Sequence, residues 1–259
     1  MRILSILCLI FVIIAAPRPS FAAPEKPVLV IKHVPFDGAG NLGEFMQQNN
    51  IPYRELNIFE GEYVENPGDF SAILTMGGTM DVNEEDRYPF LEWEHKFLEK
   101  AMEEGVPLLG ICLGAEMLSY VSGGEVTREA VKQVGWYEIW LTEDGRKDPL
   151  FEGLPEKFVV FLCHSDKFSI PPGGERLAES RDDPNEVFTF RLDRITYGLQ
   201  FHPEVTTQII NDWVGTYKGQ LTGQRIEEIK NQTRKNLTNF KRHAERIARN
   251  FFNTCGLLD

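Results

Sequence analysis

At Gly110-Ile111-Cys112-Leu113-Gly114 a cysteine stands between two glycines, where the apolar run Leu108 to Ile111 passes into residues with helical spacing. A strand that turns straight into a helix must fold back on itself within a residue or two, and only flanking positions without a Cβ leave room for that. The glycine spacing is therefore a steric requirement, and the segment reads as a nucleophile elbow. A thiol held there lies at a helix N-terminus, where unpaired N–H groups and the helix dipole favour an anion. A lowered pKa and a thiolate at neutral pH are the expectation. The competing reading is inert packing, because cysteine is among the most buried residue types.

A second constellation weighs against inert packing. Tyr197-Gly198-Leu199-Gln200-Phe201-His202-Pro203-Glu204-Val205 is an alternating strand that ends in His-Pro-Glu. A cysteine nucleophile needs an imidazole to take its proton, and the imidazole needs a carboxylate to fix its tautomer and hold the charge it gains. His202 and Glu204 fit those roles.

These motifs resemble the class I glutamine amidotransferases, whose Cys-His-Glu triad lies in a G-x-C-x-G elbow and a late H-P-E motif. Within that family the chain is similar to stand-alone domains like the amidotransferase part of GMP synthase. The resemblance runs from about Val28 to about Val214. It is carried further by Gly77-Gly78 after the strand Phe70 to Met76, by Tyr88-Pro89-Phe90-Leu91, by Gly135-Trp136-Tyr137 and by His164-Ser165-Asp166. It implies a flavodoxin-like α/β fold and Cys112, His202 and Glu204 as catalytic residues. It also implies an oxyanion hole in which the N–H of Gly78 joins that of Leu113, the residue directly after the cysteine, with Gly77 beside the substrate. Taken alone, Gly77-Gly78 reads equally as a turn. His164 ends an apolar strand, where motifs often face a site, so it is a candidate substrate-pocket residue; the alternative is a histidine bonded within its turn. His33, His95 and His243 read as structural or exposed.

The chain between these motifs alternates strand and helix. Pro27 to Val34 is an apolar, β-branched run of the kind found in buried parallel strands. A helix from about Leu42 to Asn49 follows, then strands at Tyr53 to Ile58 and Phe70 to Met76. A helix runs from Pro89 to Glu104, which Gly105 and Pro107 end before the strand leading to Cys112. That order implies a doubly wound, mostly parallel sheet with helices on both faces. From Gly124 to Gln200 the pattern changes to short alternating strands, Tyr137 to Thr142, Lys157 to Cys163 and Glu186 to Leu192, which read as antiparallel additions to one edge. Together with the resemblance, this leads to the expectation that residues 24–216 form an amidotransferase-like domain and residues 217–259 a basic helical extension packed on it.

The charge is uneven. The chain carries a formal −12, which argues against nucleic-acid phosphates or an anionic membrane as partners. Residues 217–259 nevertheless hold nine Lys+Arg against four acids, a net +5, leaving −17 on the remainder. An acidic partner or a membrane surface is one reading of that tail. The simpler one is a solvated helix face whose Ile226, Ile229, Leu237, Phe240 and Ile247 side packs on the acidic body. At the other end, Arg2, the apolar run Ile3 to Ala16 and the small-x-small site Ser20-Phe21-Ala22 read as a secretory signal peptide over residues 1–22. Export to the periplasm or outside the cell is expected, without stable membrane insertion after cleavage; an uncleaved anchor is the alternative. Removal of Cys8 leaves Cys112, Cys163 and Cys255, an odd number, so at least one thiol stays unpaired. No C-x-x-C zinc spacing occurs, and the reading calls for neither metal nor cofactor.

One position departs from the family pattern. Four residues after the nucleophile these enzymes usually carry Gln, whereas this chain has Glu116. An amide that donates and accepts becomes a group that, ionised, only accepts. An ionised Glu116 would oppose a Cys112 thiolate and repel the α-carboxylate of glutamine. No phosphate-cradling G-x-x-x-x-G-K-[ST] loop is present either. The reading is therefore a cysteine-dependent hydrolase of glutamine or a γ-glutamyl compound. The alternatives are a glutaminase subunit delivering ammonia to a separate synthetase and a silent binding module on the same fold.

Overall fold

The run Val-Leu-Val-Ile-Lys forms strand β1 (Val28–Lys32), whose first four residues are fully buried. The computed structural model describes residues 26–180, 187–193 and 195–258; the signal-peptide reading of residues 1–22 falls outside them. After β1 come α1 (Gly40–Gln48), β2 (Tyr53–Asn57), β3 (Ala72–Thr75), α2 (Phe90–Glu103), β4 (Leu108–Ile111) and α3 (Leu113–Val121). Then follow β5 (Val126–Leu141), α4 (Glu143–Lys147), β6 (Lys157–Phe168), β7 (Glu175–Glu179), β8 (Val187–Arg191), β9 (Thr196–Leu199), α5 (Thr207–Thr216) and α6 (Gly223–Thr254).

The strands form one sheet in the order β2-β1-β3-β4-β9-β8-β7-β5-β6. Pairing is parallel from β2 through β9 and antiparallel across β8, β7, β5 and β6. Side chains alternate across each strand, and this sorts the core into two layers. Val28 and Val30 join Leu42, Phe45 and Met46 of α1 and Phe240, Ile247 and Phe251 of α6. Leu29 and Ile31 face the other way, onto Leu91, Phe97 and Leu98 of α2 and Leu118 of α3. Burial on both faces explains why these strands read as continuous apolar runs. The doubly wound, mostly parallel sheet with antiparallel edge strands is thus the observed architecture.

The edge strands differ from expectation in extent. β5 starts at Val126, eleven residues before the expected Tyr137, and its pairing with β6 shifts register between Arg128 and Gln133. A register shift breaks the period-two pattern, which hid the first half of the strand. β7 and α5 were not anticipated at all.

Helix α6 lies against β5. Its buried residues include Ile229, Thr233, Phe240, Ala244, Ile247 and Phe251, a helical stripe; of the expected face, Ile226 and Leu237 are only partly buried. Thr233 enters the core because its hydroxyl accepts from Trp136 Nε1 at 2.9 Å. Phe240 packs edge-on against Trp136, with ring centroids 5.3 Å apart. Phe240→Ala is expected to lower stability by about 3–5 kcal/mol, because it empties a buried aromatic site between helix and sheet. Urea unfolding followed by circular dichroism checks this, and a loss below about 1 kcal/mol would show that α6 adds little to the core.

Candidate active site

The parallel strands end together at one edge of the sheet, and the residues singled out by sequence follow those ends. Cys112 follows β4, Gly77 and Gly78 lie just past β3, and His202 lies just past β9. Cys112 has φ 52° and ψ −110°, one of two non-glycine residues with positive φ among those described. Its N–H donates to Leu199 O at 2.7 Å and the Gly114 N–H to Met76 O at 3.2 Å, pinning the elbow to its neighbouring strand ends. A Cβ on Gly110 would lie 2.5 Å from Gly114 O, and one on Gly114 would lie 2.1 Å from Thr75 O. Both flanking glycines are therefore required sterically, as the spacing implied.

The His-Pro-Glu segment is held from two sides. His202 N–H donates to Phe161 O at 3.0 Å, while Asn41 at the start of α1 donates through its backbone to Glu204 O at 2.9 Å and through Nδ2 to Val205 O at 2.6 Å. Gly40 has φ +45°, and a Cβ there would lie 2.0 Å from Glu204 O, so α1 can begin against this loop only with glycine. Within the loop, His202 Nδ1 and Glu204 Oε1 are 2.6 Å apart, and both residues are buried. With the Nδ1 proton donated to that carboxylate, Nε2 is left as an acceptor, and it has no partner among the described residues. The ring packs edge-on against Trp213 at 4.5 Å, and Trp213 Nε1 donates to Asp37 at 2.5 Å. Burial pushes the Asp37 carboxyl up to about 6, against the pull of its Trp213 hydrogen bond and of His202.

Gly77 sits between base and thiol. A Cβ on it would be 3.1 Å from His202 Cε1 and 3.7 Å from Cys112 Cβ. Gly78 presses on Leu113, whose Cδ2 would be 2.5 Å from an added Cβ. Leu113 opens α3, so its N–H belongs to the first-turn donors that lack an intrahelical acceptor.

One expectation is reversed. The Cys112 thiol is driven well above its usual pKa, first by burial and then by Glu116, Cys163, Asp37 and Glu204, so the helix N-terminus does not leave it a resting thiolate. It donates to Cys163 O at 3.7 Å. Cys112, Cys163 and Cys255 are all free. Burial pushes Cys163 up to about 12.

The thiol opens on a cavity of about 210 Å³ whose walls include Gly78, Glu116, Arg128, Lys132, His164 and Asp166. His164 meets both readings offered for it: Nδ1 bonds Asp166 O at 2.8 Å within the turn, while the residue lines the cavity and burial lowers its pKa to about 4. It is neutral at physiological pH. Arg128 bonds Asp81 and lies 3.9 Å from Asp166, at the mouth. Glu116 is buried, accepts from Gln200 Nε2 at 2.9 Å, and is pushed up to about 8, chiefly by burial and further by Asp166 and Asp81. At neutral pH it carries a proton, so it neither repels an anion nor only accepts.

That raised pKa sets a stability slope. Folded Glu116 keeps a proton that the unfolded chain releases near pH 4.5, so its contribution is complete below that pH and is lost as pH rises towards 8. Glu116→Gln cannot ionise. Its stability advantage over the parent is expected to widen by up to about 4 kcal/mol between pH 5 and pH 9. Urea midpoints across that range measure it; parallel curves for the two proteins would contradict it.

Several site residues escaped the sequence. His33, expected to be structural or exposed, is buried beside Gly77, with Nε2 2.7 Å from Glu94 Oε2. Asp37, Asn41 and Trp213 were not singled out. Only His33, directly after an apolar parallel strand, carried the kind of signal that marked His164.

Residues 47–211 match the family model described as glutamine amidotransferase class-I. A glutamine-hydrolysing GMP synthase of Thermosipho melanesiensis is 36% identical over 137 residues, covering 52% of this chain and 24% of that protein. Another, from Caldicellulosiruptor saccharolyticus, is 34% identical over 180 residues, covering 66% and 33%. The chain thus spans about a quarter to a third of the length of these relatives. A glutamine amidotransferase of Thermotoga maritima superposes with a TM-score of 0.79 at 28% identity, over 90% of this chain and 99% of that one. A glutamine amidotransferase from Methylobacillus flagellatus has the same fold, with a TM-score of 0.78 at 24% identity over 89% and 96%. With its family model matching well over half its length, the chain belongs to the class I glutamine amidotransferases.

Proposed function

We propose that the protein hydrolyses the γ-amide of glutamine or of a γ-glutamyl compound through a Cys112-His202-Glu204 triad. The observation that carries this reading is the pairing of a thiol on a strained elbow with a buried histidine whose Nδ1 is taken by Glu204 and whose Nε2 is free to accept. Because Cys112 rests as a thiol, His202 Nε2 takes its proton as sulfur attacks the γ-carbonyl carbon. The carbonyl π electrons move to oxygen, and the N–H groups of Leu113 and Gly78 receive the oxyanion. Collapse breaks the C–N bond, His202 returns the proton to the leaving amine, and a γ-glutamyl thioester remains. Water, deprotonated by His202, then attacks the thioester and releases the acid and the thiol. Protonated Glu116 both donates and accepts, which supports a role like that of the amide usually found there. His164 and Gly77 line the space the substrate would fill.

A second reading is supported by the relatives' description as glutamine-hydrolysing GMP synthases. In it the chain is a glutaminase subunit whose ammonia passes to a separate synthetase. The two readings part in a product assay on residues 24–259, the chain without its proposed signal peptide. Cys112-dependent release of glutamate from glutamine or γ-glutamyl peptides, without any partner, supports the hydrolase. Turnover that rises only when a synthetase is added supports the subunit, and binding of glutamine without turnover in either setting overturns both in favour of a silent binding module.

A further inference from the structure

Behind the Gly77-Gly78 segment lies a chain of buried hydrogen bonds that the proposed triad does not use. Thr75 Oγ1 donates to Glu94 Oε1 at 2.7 Å. Glu94 Oε2 is 2.7 Å from His33 Nε2, and His33 Nδ1 is 3.1 Å from Gly77 O. Thr75 and Glu94 are wholly buried, and His33 is 1% exposed. A carbonyl oxygen can only accept, so Nδ1 carries the proton of that contact. Both Glu94 oxygens accept as well, one from Thr75 and the other from His33 Nε2, so the arrangement is satisfied by a doubly protonated ring. Burial opposes that charge, but Glu94 outweighs it, with Asp37 adding to the same effect, and the His33 pKa is raised.

The acceptor at the end of this chain is half of one particular peptide group. The Gly77 carbonyl and the Gly78 N–H belong to the same amide, and in a trans amide they point in opposite directions. With the carbonyl drawn to His33, the N–H is directed away from it. Gly78 lines the same cavity as Cys112. Two successive glycines carry no Cβ to restrict rotation of the peptide between them, so the orientation depends on what the carbonyl binds. A donor on the carbonyl also draws electron density to oxygen and strengthens the N–H as a donor, the ordinary cooperativity of linked hydrogen bonds.

We propose that His33, held by Glu94 and Thr75, is a positioning residue that orients and polarises the Gly77-Gly78 peptide so that its N–H is ready for the oxyanion. This rests on the reading of Gly78 as an oxyanion donor. The placement next to the site is tight: a Cβ on Gly78 would lie 3.1 Å from His33 Cβ. His33 itself touches no reacting atom and acts only through the amide.

The test compares His33→Leu, which has no donor, with His33→Asn, whose amide nitrogen falls near the place of Nδ1, and with Glu94→Gln. Loss of one oxyanion donor costs about 100-fold or more in kcat in such enzymes, so an ill-positioned donor in His33→Leu is expected to lower kcat about 30-fold with KM within about twofold. His33→Asn should recover about a tenth to a third of the parent kcat, and Glu94→Gln should lie between. The alkylation rate of Cys112 by iodoacetamide should stay near that of the parent, since the triad is untouched. A fall in kcat matched by slower alkylation, or no recovery in a folded His33→Asn, overturns the proposal. The amide proton shift of Gly78, read by NMR on labelled protein without substrate, separates the two readings. It should move upfield in His33→Leu and back in His33→Asn even if no substrate is ever turned over. An unmoved Gly78 resonance overturns the relay whatever becomes of the hydrolase reading, while a moved resonance with unchanged kcat refutes only the part assigned to Gly78 in catalysis.

Discussion

Cys112→Ala is expected to cut glutaminase or γ-glutamyl hydrolase turnover by about four orders of magnitude or more, since removal of a nucleophile disables all members of a triad that act as one unit. Substrate binding should survive. The cavity walls other than the thiol are unchanged by the substitution, and the carboxyl of Glu116 and the imidazole of His164 still line them. Stability should change little, because alanine inherits the same positive φ and the thiol's hydrogen bond to Cys163 O is a long one, 3.7 Å. Isothermal titration with glutamine beside a coupled glutamate assay reads both quantities. Residual turnover above about a hundredth of the parent's would remove Cys112 from the mechanism.

Gly114→Ala is expected to disrupt the site by a single added methyl. Its Cβ would meet Thr75 O at 2.1 Å and Thr75 C at 2.7 Å, and both are backbone atoms of a central strand that cannot swing aside. Either α3 must lift from β3 or the elbow must open, and each breaks the Gly114 N–H bond to Met76 O. A destabilisation of about 3 kcal/mol or more follows, together with loss of the Cys112 geometry. Gly105→Ala is the comparison, since Gly105 has a positive φ of 69° and open space around it, whereas Gly114 is a helical glycine crowded by backbone atoms. There only the cost of a strained backbone applies, about 1–2 kcal/mol, with activity retained. A cost at Gly114 no larger than the strain cost at Gly105 would show that the collision with Thr75 is relieved by a small shift.

The elbow, the parallel strands and the His-Pro-Glu loop were legible because each is written in adjacent residues. Val28 to Ile31 is apolar throughout since both faces of β1 are covered, and Gly110 and Gly114 bracket Cys112 for a reason that local sterics alone supplies. What could not be read depends on separation. His33 and Glu94 are 61 residues apart, and Trp213 bonds Asp37 across 176, so no spacing betrays either pair. β5 was half hidden because a register shift interrupts its alternation. The sequence predicts a thiolate at Cys112 and leaves the charge of Glu116 open, because the helix N-terminus is visible in it while the depth of burial that decides both belongs to the folded chain.

Burial also changes what Glu116 means. As an anion it would argue against a glutamine-like substrate; as a neutral acid bonded to Gln200 it has a donor and an acceptor at the wall of the cavity. The proposed export of the protein, from residues 1–22, is checked separately by the N-terminal mass of secreted material.

The most direct measurement is acid-quenched mass spectrometry of the protein mixed with excess glutamine, followed by mapping of the peptide that contains Cys112. The account predicts an adduct with the mass of a glutamyl group on Cys112, labile to hydroxylamine, that appears within one turnover and is absent from Cys112→Ala. Steady glutamate release with no adduct at any quench time, in either the parent or a slowed His202 variant, would contradict a covalent thioester.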